Sequence, residues 1–298
     1  MNEAVSILSQ HGKTFRFAGY LLPENTLLAA ARLYQFCRYA DDIADESEVS
    51  LVAKKQLTQI QQDLIDDKST DNKVMDFIVL AKEYKIKKTA SLTLIEGVMS
   101  DLSPVLIKHE NDLIRYAYQV AGVVGEMMCP LLQADLRGES FAIDLGIAMQ
   151  LTNIARDVLD DAYLGRRYLP ASWCPLTPKE IINADNSQRK LVQTAIKQVL
   201  ALAEVYYQSA RSGYAYLPRK NSRAIAVAGE VYRQIGVKLN HYDCAFWLGR
   251  CVIPTHKKIL VAIITLIKLL LHKPTQKPHQ PKLHVAFSGL INDKACMP

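Results

Sequence analysis

The spacing of apolar residues constrains the fold of this 298-residue chain more than any other feature. Apolar side chains recur mostly at intervals of three and four residues, and the alternation typical of strands is rare. This period predicts helices over about 24–44, 50–67, 73–84, 89–101, 110–134, 138–163, 187–212, 222–245 and 255–271. The sequence therefore predicts one all-α domain over residues 1–272, followed by a basic Pro- and Lys-containing tail over 273–298 that we expect to be disordered.

Composition and cysteine usage narrow the class of protein. The chain is 49% hydrophobic and 22% charged, as expected of a globular protein with a sizeable core. Its six cysteines are scattered and form no CxxC pair, which argues for reduced thiols and against a disulfide framework or a zinc site. The first residues, "MNEAVSILSQHGK", contain no signal or transit pattern, so we expect a cytoplasmic protein.

The positive charge is concentrated at the C-terminal end. The net charge is +6, and the segment from Arg250 onward holds eight Lys/Arg against one acid, or +7. The first 249 residues therefore sum to −1, since 6 − 7 = −1. This distribution gives little support to a nucleic-acid-binding function. It predicts instead that the C-terminal end contacts an anionic membrane surface, peripherally and on the inner face of the membrane.

The segment "ILVAIITLIKLLL" (259–271) is apolar on nearly every side. Its thirteen residues fall short of the ~20 that a bilayer-spanning helix needs. Two interpretations remain open at this point: a helix buried in the core, or a helix that lies at a membrane interface.

Four carboxylates are crowded into "CRYADDIADE" (37–46), namely Asp41, Asp42, Asp45 and Glu46. On a helix several of them share a face at spacings of three and four. Like charges at these spacings cost roughly 0.2–0.5 kcal/mol per pair. Either solvent or a cation could compensate for this repulsion, and this stretch alone fits both.

A second acidic pattern occurs in "QLTNIARDVLDDAYLGRRYLP" (150–170). Asn153, Asp157 and Asp161 fall at i, i+4 and i+8, so they form one polar stripe along a helix. The residues between them are largely apolar, which predicts that the stripe lines a cavity. Arginines lie close to both acidic segments: Arg38, Arg156, Arg166 and Arg167.

Two carboxylate stripes with nearby arginines suit the binding of a diphosphate. Mg²⁺ prefers oxygen ligands and is usually held by one or two carboxylates together with substrate phosphates. The planar guanidinium of arginine matches phosphate oxygens and stays charged. The spacing does not fit an EF-hand, because the sequence has no D-x-D-x-D-G run.

The two acidic segments resemble the aspartate-rich motifs of the squalene/phytoene synthase family. "HGKTF" (11–15) resembles its N-terminal substrate-contact segment, and "YAYQVAGVVGEMMCPLL" (116–132) resembles its central small-residue helix. "AGEVYRQIG" (228–236), followed by "GRCVIPTHKKI", is more similar to the phytoene branch than to the squalene branch. The resemblance extends to about residue 272. It departs at Ala155, Leu159 and Asp160, where relatives often carry a larger apolar residue and Gly-Glu.

The resemblance implies an isoprenoid-synthase-type helical bundle around a central cavity, with Mg²⁺ or Mn²⁺ as cofactor and no nicotinamide. The metal ligands that it implies are Asp41, Asp45, Asn153, Asp157 and Asp161. The carboxylates among them, together with Arg38 and Arg156, would be the catalytic residues. The substrate-binding positions that it implies are His11, Thr14, Phe15, Tyr34, Tyr116, Asn153, Arg166, Tyr168, Tyr232 and Arg250.

Two groups of residues keep a structural alternative. The aromatic residues among the substrate-binding positions could equally belong to the core, since buried Tyr and Phe at helical spacing are common there. Gly122 and Gly125, with Ala121, could leave room for a prenyl chain or could allow close helix packing.

The activity that the resemblance implies is the head-to-head condensation of two geranylgeranyl diphosphates to phytoene, through a cyclopropyl (prephytoene) diphosphate, in carotenoid biosynthesis. Alternatives are a C15-specific squalene or dehydrosqualene synthase, a head-to-tail prenyltransferase, and a non-catalytic relative that acts as an assembly factor. "GRRYLP" and "VYRQIG" favour the head-to-head enzymes, and the retained carboxylates argue against a non-catalytic relative.

Overall fold

The computed structural model describes residues 17–46 and 49–292, and within these ranges the chain forms helices and no strands. The α-helices from residue 24 onward are α1 (Glu24–Glu46), α2 (Ser50–Asp66), α3 (Asn72–Tyr84), α4 (Lys88–Ser100), α5 (Glu110–Ala117), α6 (Val123–Leu131), α7 (Glu139–Tyr163), α8 (Pro178–Ile182), α9 (Asn186–Gly213), α10 (Arg219–His241), α11 (Thr255–Leu271) and α12 (Ser288–Asn292). The all-α prediction is confirmed, and the predicted helices differ from the observed ones by a few residues at their ends.

Helix α7 is the central element of the bundle. It packs along α9 and also contacts α6, α8 and α10. Its buried side chains include Ile147, Leu151 and Ile154, which belong to one large core shared with α1 to α6 and α9. Helices α1, α6, α7 and α10 surround a central cavity, so the residues of α7 that face this cavity are held by a rigid scaffold.

Capping side chains explain where several helices begin. Asp185 accepts from the backbone N–H of Gln188, and the Gln188 side chain accepts from the N–H of Asp185, which is a capping box at the start of α9. Asp71 accepts from two backbone N–H groups in the first turn of α3. These contacts satisfy amide groups that the first turn of a helix otherwise leaves unpaired.

Helices α6 and α7 approach each other at glycine residues. A Cβ atom at Gly125 would lie 2.1 Å from the carbonyl oxygen of Ala142, and one at Gly146 would lie 2.2 Å from that of Ala121. Neither position accepts a larger side chain without moving the backbone. Of the two interpretations of the small-residue segment, close helix packing therefore accounts for Gly125.

A π-helical turn, Tyr118–Gly122, joins α5 to α6. Such turns are rare and occur frequently at functional sites. Val120 and Ala121 in this turn line the central cavity.

Helix α11 is not a core helix, so this interpretation of 259–271 is wrong. Only Ala262 and Thr265 are buried, where α11 packs on α10. Seven large apolar side chains of α11 are 44–73% exposed, namely Ile259, Leu260, Ile263, Ile264, Ile267, Leu270 and Leu271. In the ranges that the structure describes, no helix has both the length and the apolar content needed to cross a bilayer.

Residues 273–292, which we call the C-terminal strap, pack on the bundle, whereas the sequence predicted a disordered tail. Residues Pro281–Phe287 form a 3₁₀ helix that continues into α12. Phe287 is fully buried and stacks on Tyr118 with ring centroids 4.1 Å apart. The Tyr206 hydroxyl donates to the carbonyl of Leu283 at 2.8 Å. The Pro- and Lys-rich composition of 273–282 concealed these anchoring contacts, which lie mostly further along the strap.

We predict that Phe287→Ala lowers the free energy of unfolding by roughly 3–5 kcal/mol, because it removes a fully buried aromatic side chain. Val285→Ala is the matched control: Val285 is 67% exposed, so its effect should stay within about 0.5 kcal/mol. Urea unfolding of the two variants and the wild-type protein measures both effects. Equal, small effects would contradict the packing of the strap.

Candidate active site

The two acidic segments face each other across one polar cavity of about 210 Å³. Helix α1 contributes Asp41 and Asp45 to one wall, and α7 contributes Asp157 and Asp161 to the other. The complete lining is Asp41, Ala44, Asp45, Val98, Asp101, Tyr116, Val120, Gln150, Asn153, Ile154, Arg156, Asp157, Asp161, Arg166 and Tyr168. The five residues predicted as metal ligands are thus brought together in one cavity.

The backbone of α7 leaves helical geometry at Asp157, with φ −104° and ψ 15°. These angles lie near the sparsely populated bridge region, in which many active-site residues occur. The kink lies at the middle position of the polar stripe. The i, i+4, i+8 pattern of the sequence did not predict it.

Arginine side chains pair with carboxylates of both walls. Arg166 reaches across the cavity to Asp45, with Nη1 2.7 Å from Oδ1. Arg156 and Arg250 both donate from Nε to Asp157, at 2.7 and 3.1 Å. The resemblance implies four arginines at the site. Three of them, Arg156, Arg166 and Arg250, pair with its carboxylates.

Arg38 is placed differently. Its Nη2 atom lies 2.5 Å from Asp42, one turn further along α1, and not beside Asp41. Arg38 is not part of the cavity lining. Its Nε atom is buried without a hydrogen-bond partner in the part of the chain that the structure describes, so this guanidinium retains one unused donor.

Burial and like charge raise the pKa of several carboxyl groups in the cavity. Burial raises the pKa of Asp41 to about 7, and the charge of Asp45 contributes further. Burial also raises the pKa of Asp161 to about 8, with the charge of Asp157 as the next cause. The arginines thus leave part of the negative charge uncompensated. This excess charge is what a site built for cations provides.

Asp101 is a further carboxylate of the site that the sequence analysis missed. It follows the last residue of α4 and accepts hydrogen bonds from the hydroxyls of Tyr116 and Tyr168, at 2.8 and 2.9 Å. The two tyrosine rings stack, with centroids 4.8 Å apart. Burial raises the pKa of Asp101 to about 6. No spacing in the sequence links "VMSDLS" to either acidic segment, because only the tertiary fold brings Asp101 between them.

A second, apolar cavity of about 310 Å³ adjoins the polar one. The two share Val120, Gln150 and Asn153, and the apolar cavity extends along α1, α6, α7 and α10. Tyr34 and Tyr232 lie at its polar end, where the Tyr232 hydroxyl donates to the side-chain oxygen of Asn153. Gln150, also missed by the sequence analysis, extends the stripe of Asn153 by one turn at i−3 and could have been found in that way.

The remaining predicted contacts divide into two groups. Tyr34, Tyr116, Tyr168 and Tyr232 all line one of the two cavities. Tyr116, Tyr168 and Tyr232 are also buried members of the core, so both interpretations of these residues stay open. His11, Thr14 and Phe15 lie outside the described residues, and their roles stay predictions.

The donors of the polar cavity fit a hard divalent cation. They are carboxylate and amide oxygens, the ligands that Mg²⁺ and Mn²⁺ prefer, and soft sulfur ligands do not line the cavity. Asp41 and Asp161 both have a raised pKa, and a bound cation would return these side chains to their charged form. The residues present therefore fit the cofactor predicted from the sequence.

The sequence matches a known family over most of its length. The family model described as "Squalene/phytoene synthase" matches residues 8–257. A 15-cis-phytoene synthase of Pantoea ananas is 32% identical over 298 residues, covering 94% of this chain and 96% of that protein. A 15-cis-phytoene synthase of a Paracoccus species is 34% identical over 245 residues, covering 78% of this chain and 79% of that protein.

The structure is also similar to a solved one. A crystal structure of a dehydrosqualene synthase in complex with a ligand superposes with a TM-score of 0.80, covering 90% of this chain and 96% of that one. The two sequences are 23% identical, so this likeness bears on the fold alone. It confirms the isoprenoid-synthase type of helical bundle that the sequence predicted.

We predict that Asp161→Asn stabilises the metal-free protein at pH 8 by roughly 1–3 kcal/mol, because it removes a buried charge that lacks full compensation. With a pKa near 8 in the fold and an ordinary value of 3.8, Asp161 retains a proton in the native state that the unfolded chain has already lost. Wild-type stability should therefore fall as the pH rises from about 4 to about 8, and the variant's advantage should grow over the same range.

Urea unfolding in EDTA at pH 5 and pH 8 tests this expectation. Asp160→Asn is the matched control, since Asp160 is adjacent and exposed. An advantage that is the same at both pH values, or that Asp160→Asn reproduces, would contradict the argument.

Proposed function

The chain belongs to the squalene/phytoene synthase family, and we propose that it joins two geranylgeranyl diphosphates head to head to form phytoene. The observation that carries this proposal is the pair of facing carboxylate walls, which open directly into an apolar cavity. Diphosphate groups suit the first compartment and prenyl chains suit the second. The relatives named 15-cis-phytoene synthase support phytoene as the product, in carotenoid biosynthesis.

The arginines would bind and neutralise the diphosphates. Arg156, Arg166 and Arg250 each present several N–H donors, of which only some are used on carboxylates. A diphosphate entering the cavity would accept from these donors, and its negative charge would replace that of the carboxylates as their partner. Arg38, whose buried Nε has no partner among the described residues, is not part of this lining.

The carboxylates would hold the cofactor. Asp41 and Asp45 on one wall, and Asn153, Asp157 and Asp161 on the other, supply the oxygen ligands for Mg²⁺ or Mn²⁺. When bound, the cation supplies positive charge where the diphosphate leaves. Because the carboxylates are fixed on two packed helices, this charge is preorganised before the substrate enters.

The apolar cavity would hold the prenyl chains and keep water from the allylic carbocations. Overall, two C20 diphosphates give one C40 hydrocarbon, two diphosphate ions and two protons, one proton being lost as the cyclopropyl diphosphate intermediate forms and one as it rearranges to phytoene. The reaction needs no reductant, so no nicotinamide is expected. Tyr34 and Tyr232 lie where the two cavities meet, beside the position that the reacting carbons would occupy.

The exposed face of α11 is the proposed membrane contact. Its seven large exposed apolar side chains lie on the helix that begins at Thr255, and Lys257, Lys258 and Lys268 are on the same helix. Apolar residues with basic neighbours are typical of helices that lie in a membrane interface. Such a contact would bring the protein close to its lipid substrates and product, as a peripheral protein on the inner face of the membrane.

We predict that the purified protein converts C20 diphosphate to phytoene with Mg²⁺ and without nicotinamide, and that EDTA abolishes turnover. Asp157→Asn should reduce turnover by at least a hundredfold, because it removes charge from the stripe and from the partner of two arginines. The hydrocarbon product is identified by mass spectrometry, and turnover is measured as released diphosphate.

Two controls make this assay decisive. Asp160→Asn removes an exposed carboxylate three residues away and should retain most of the activity. C15 diphosphate, supplied alone, tests the shorter-chain alternative. A product formed only from C15 diphosphate, or a strict requirement for NADPH, would overturn the assignment.

We predict that Ile263→Glu combined with Leu270→Glu weakens binding to anionic vesicles by at least tenfold. Each substitution removes an exposed apolar side chain whose burial in the interface contributes about 1.5–3 kcal/mol. Binding is measured by co-sedimentation with vesicles of phosphatidylglycerol and phosphatidylcholine at low and high salt.

Val79→Glu serves as the control, because Val79 is 46% exposed on α3 and outside the proposed contact. Substitution is a sharper test than removal of the strap, whose buried Phe287 contributes to the fold. Equal binding by the double variant and the control would remove α11 from the membrane proposal.

A further inference from the structure

A cluster of ionisable side chains lies outside both cavities. His279 and His284 of the C-terminal strap converge on Asp144 of α7. The Nε2 atom of His279 lies 2.8 Å from Oδ2 of Asp144, and that of His284 lies 2.8 Å from Oδ1. The three side chains each present a ligand atom, and these atoms fall within 4.8 Å of one another.

The burial of Asp144 makes this cluster unusual. Its side chain is fully buried in the second turn of the central helix, α7, and neither cavity includes it. A buried carboxylate is costly unless positive charge or hydrogen bonds compensate for it. Burial opposes ionisation, yet hydrogen bonds from His279 and His284 hold the pKa of Asp144 below its ordinary value. Each oxygen of the carboxylate lies 2.8 Å from an imidazole nitrogen of the strap, so three potential metal ligands converge on one point.

We propose that Asp144, His279 and His284 form a binding site for a transition-metal dication of the Zn²⁺ class. Two imidazoles and one carboxylate are a donor set that binds such ions, with a fourth position for water or a neighbouring hydroxyl. Ser209, which also hydrogen-bonds Asp144, supplies a hydroxyl at this place. Both imidazoles present Nε2 to the carboxylate, so the three ligand atoms converge, and a bound ion would draw them to the distances of about 2.0–2.2 Å that zinc requires.

The site would fasten the strap to the bundle. The ring of His279 packs edge-on against Phe141, at 5.2 Å between centroids, and Phe141 lines the apolar cavity. His284 lies 4.8 Å from the ring of Phe287, the buried anchor of the strap. A bound ion would connect the strap to the helix that carries Asp157 through its coordination bonds to the three ligands. It would thus stiffen one wall of the cavity, independently of the activity proposed above.

The test uses the full-length protein, stripped with EDTA and then titrated with Zn²⁺ in excess Mg²⁺, which occupies the hard-cation sites of the polar cavity. We expect about one zinc ion per chain after gel filtration, measured by mass spectrometry of the metal. We also expect the thermal midpoint to rise by about 5 °C or more, because the ion binds only the native state. Cobalt substitution should give the visible spectrum of a site with imidazole ligands.

His279→Gln and His284→Gln, examined separately, should each lose the retained zinc and the rise in midpoint. His272→Gln is the matched control, since His272 is exposed and lies outside the cluster. Trypsin cleavage after Lys282, which is exposed in the strap and precedes Leu283, should slow with zinc in the wild-type protein and in the control only.

The wild-type titration decides the proposal even if a variant fails to fold. A wild-type protein that neither retains zinc nor gains thermal stability from it would overturn the proposal, and the triad would then be a hydrogen-bonded contact only. Zinc retention unchanged in both variants would also overturn it, because the ion would then bind elsewhere. Neither result depends on the formation of phytoene, so this inference and the proposed function can fail separately.

Discussion

The repulsion among five carboxylates in one partly buried cavity is the constraint on which the rest of the site depends. Asp41, Asp45, Asp101, Asp157 and Asp161 come from three helices, and burial alone would keep several of them protonated. The fold compensates with arginines that reach across or along the walls, and with two tyrosine hydroxyls directed at Asp101. The compensation is incomplete. Because negative charge remains, the cavity suits cations in a way that a fully paired network of ions would not.

The same constraint explains why polar and apolar compartments share one wall. A diphosphate must be surrounded by charge, whereas a prenyl chain must be surrounded by apolar surface, and the bond that breaks lies between them. Helix α7 meets both demands, because Asn153 belongs to both linings while Gly146 lets the π-helical turn pack closely beside it. A helix with a polar stripe on an otherwise buried surface can do this only when neighbouring helices hold it firmly. This need accounts for its central place in the bundle.

The sequence predicted those parts of the site that are encoded locally. The spacing of residues within a single helix predicts the stripe that contains Asp41 and the stripe that contains Asp157. The same spacing predicts the helices that carry them. Asp101 could not be predicted, because its role depends on contacts with tyrosines that lie 15 and 67 residues away. The strap was missed for a related reason: its polar composition resembles that of disordered chain, while its packing depends on Phe287 meeting Tyr118. The scattered cysteines argued against a cysteine-based zinc site, but that argument does not apply to histidines separated by 135 or more residues from their carboxylate.

Helix α7 carries buried charge at two places, and the two are compensated in different ways. In the N-terminal half of α7, the carboxylate of Asp144 contacts two imidazoles, and its pKa lies below the ordinary value. Near its C-terminal end, Asp161 has a raised pKa because of its burial and the charge of Asp157, and in the proposed function its partner is a cation that binds with the substrate. A carboxylate that the fold satisfies permanently stabilises the native state, whereas one that the fold leaves unsatisfied costs stability until a ligand binds. The strap, attached at the satisfied end, adds buried contacts that offset the cost incurred at the other end. The strap contacts α7 at Asp144 and at Phe141, and none of its described residues lines the polar cavity. It therefore stabilises the central helix without contacting the carboxylates of the acidic stripe.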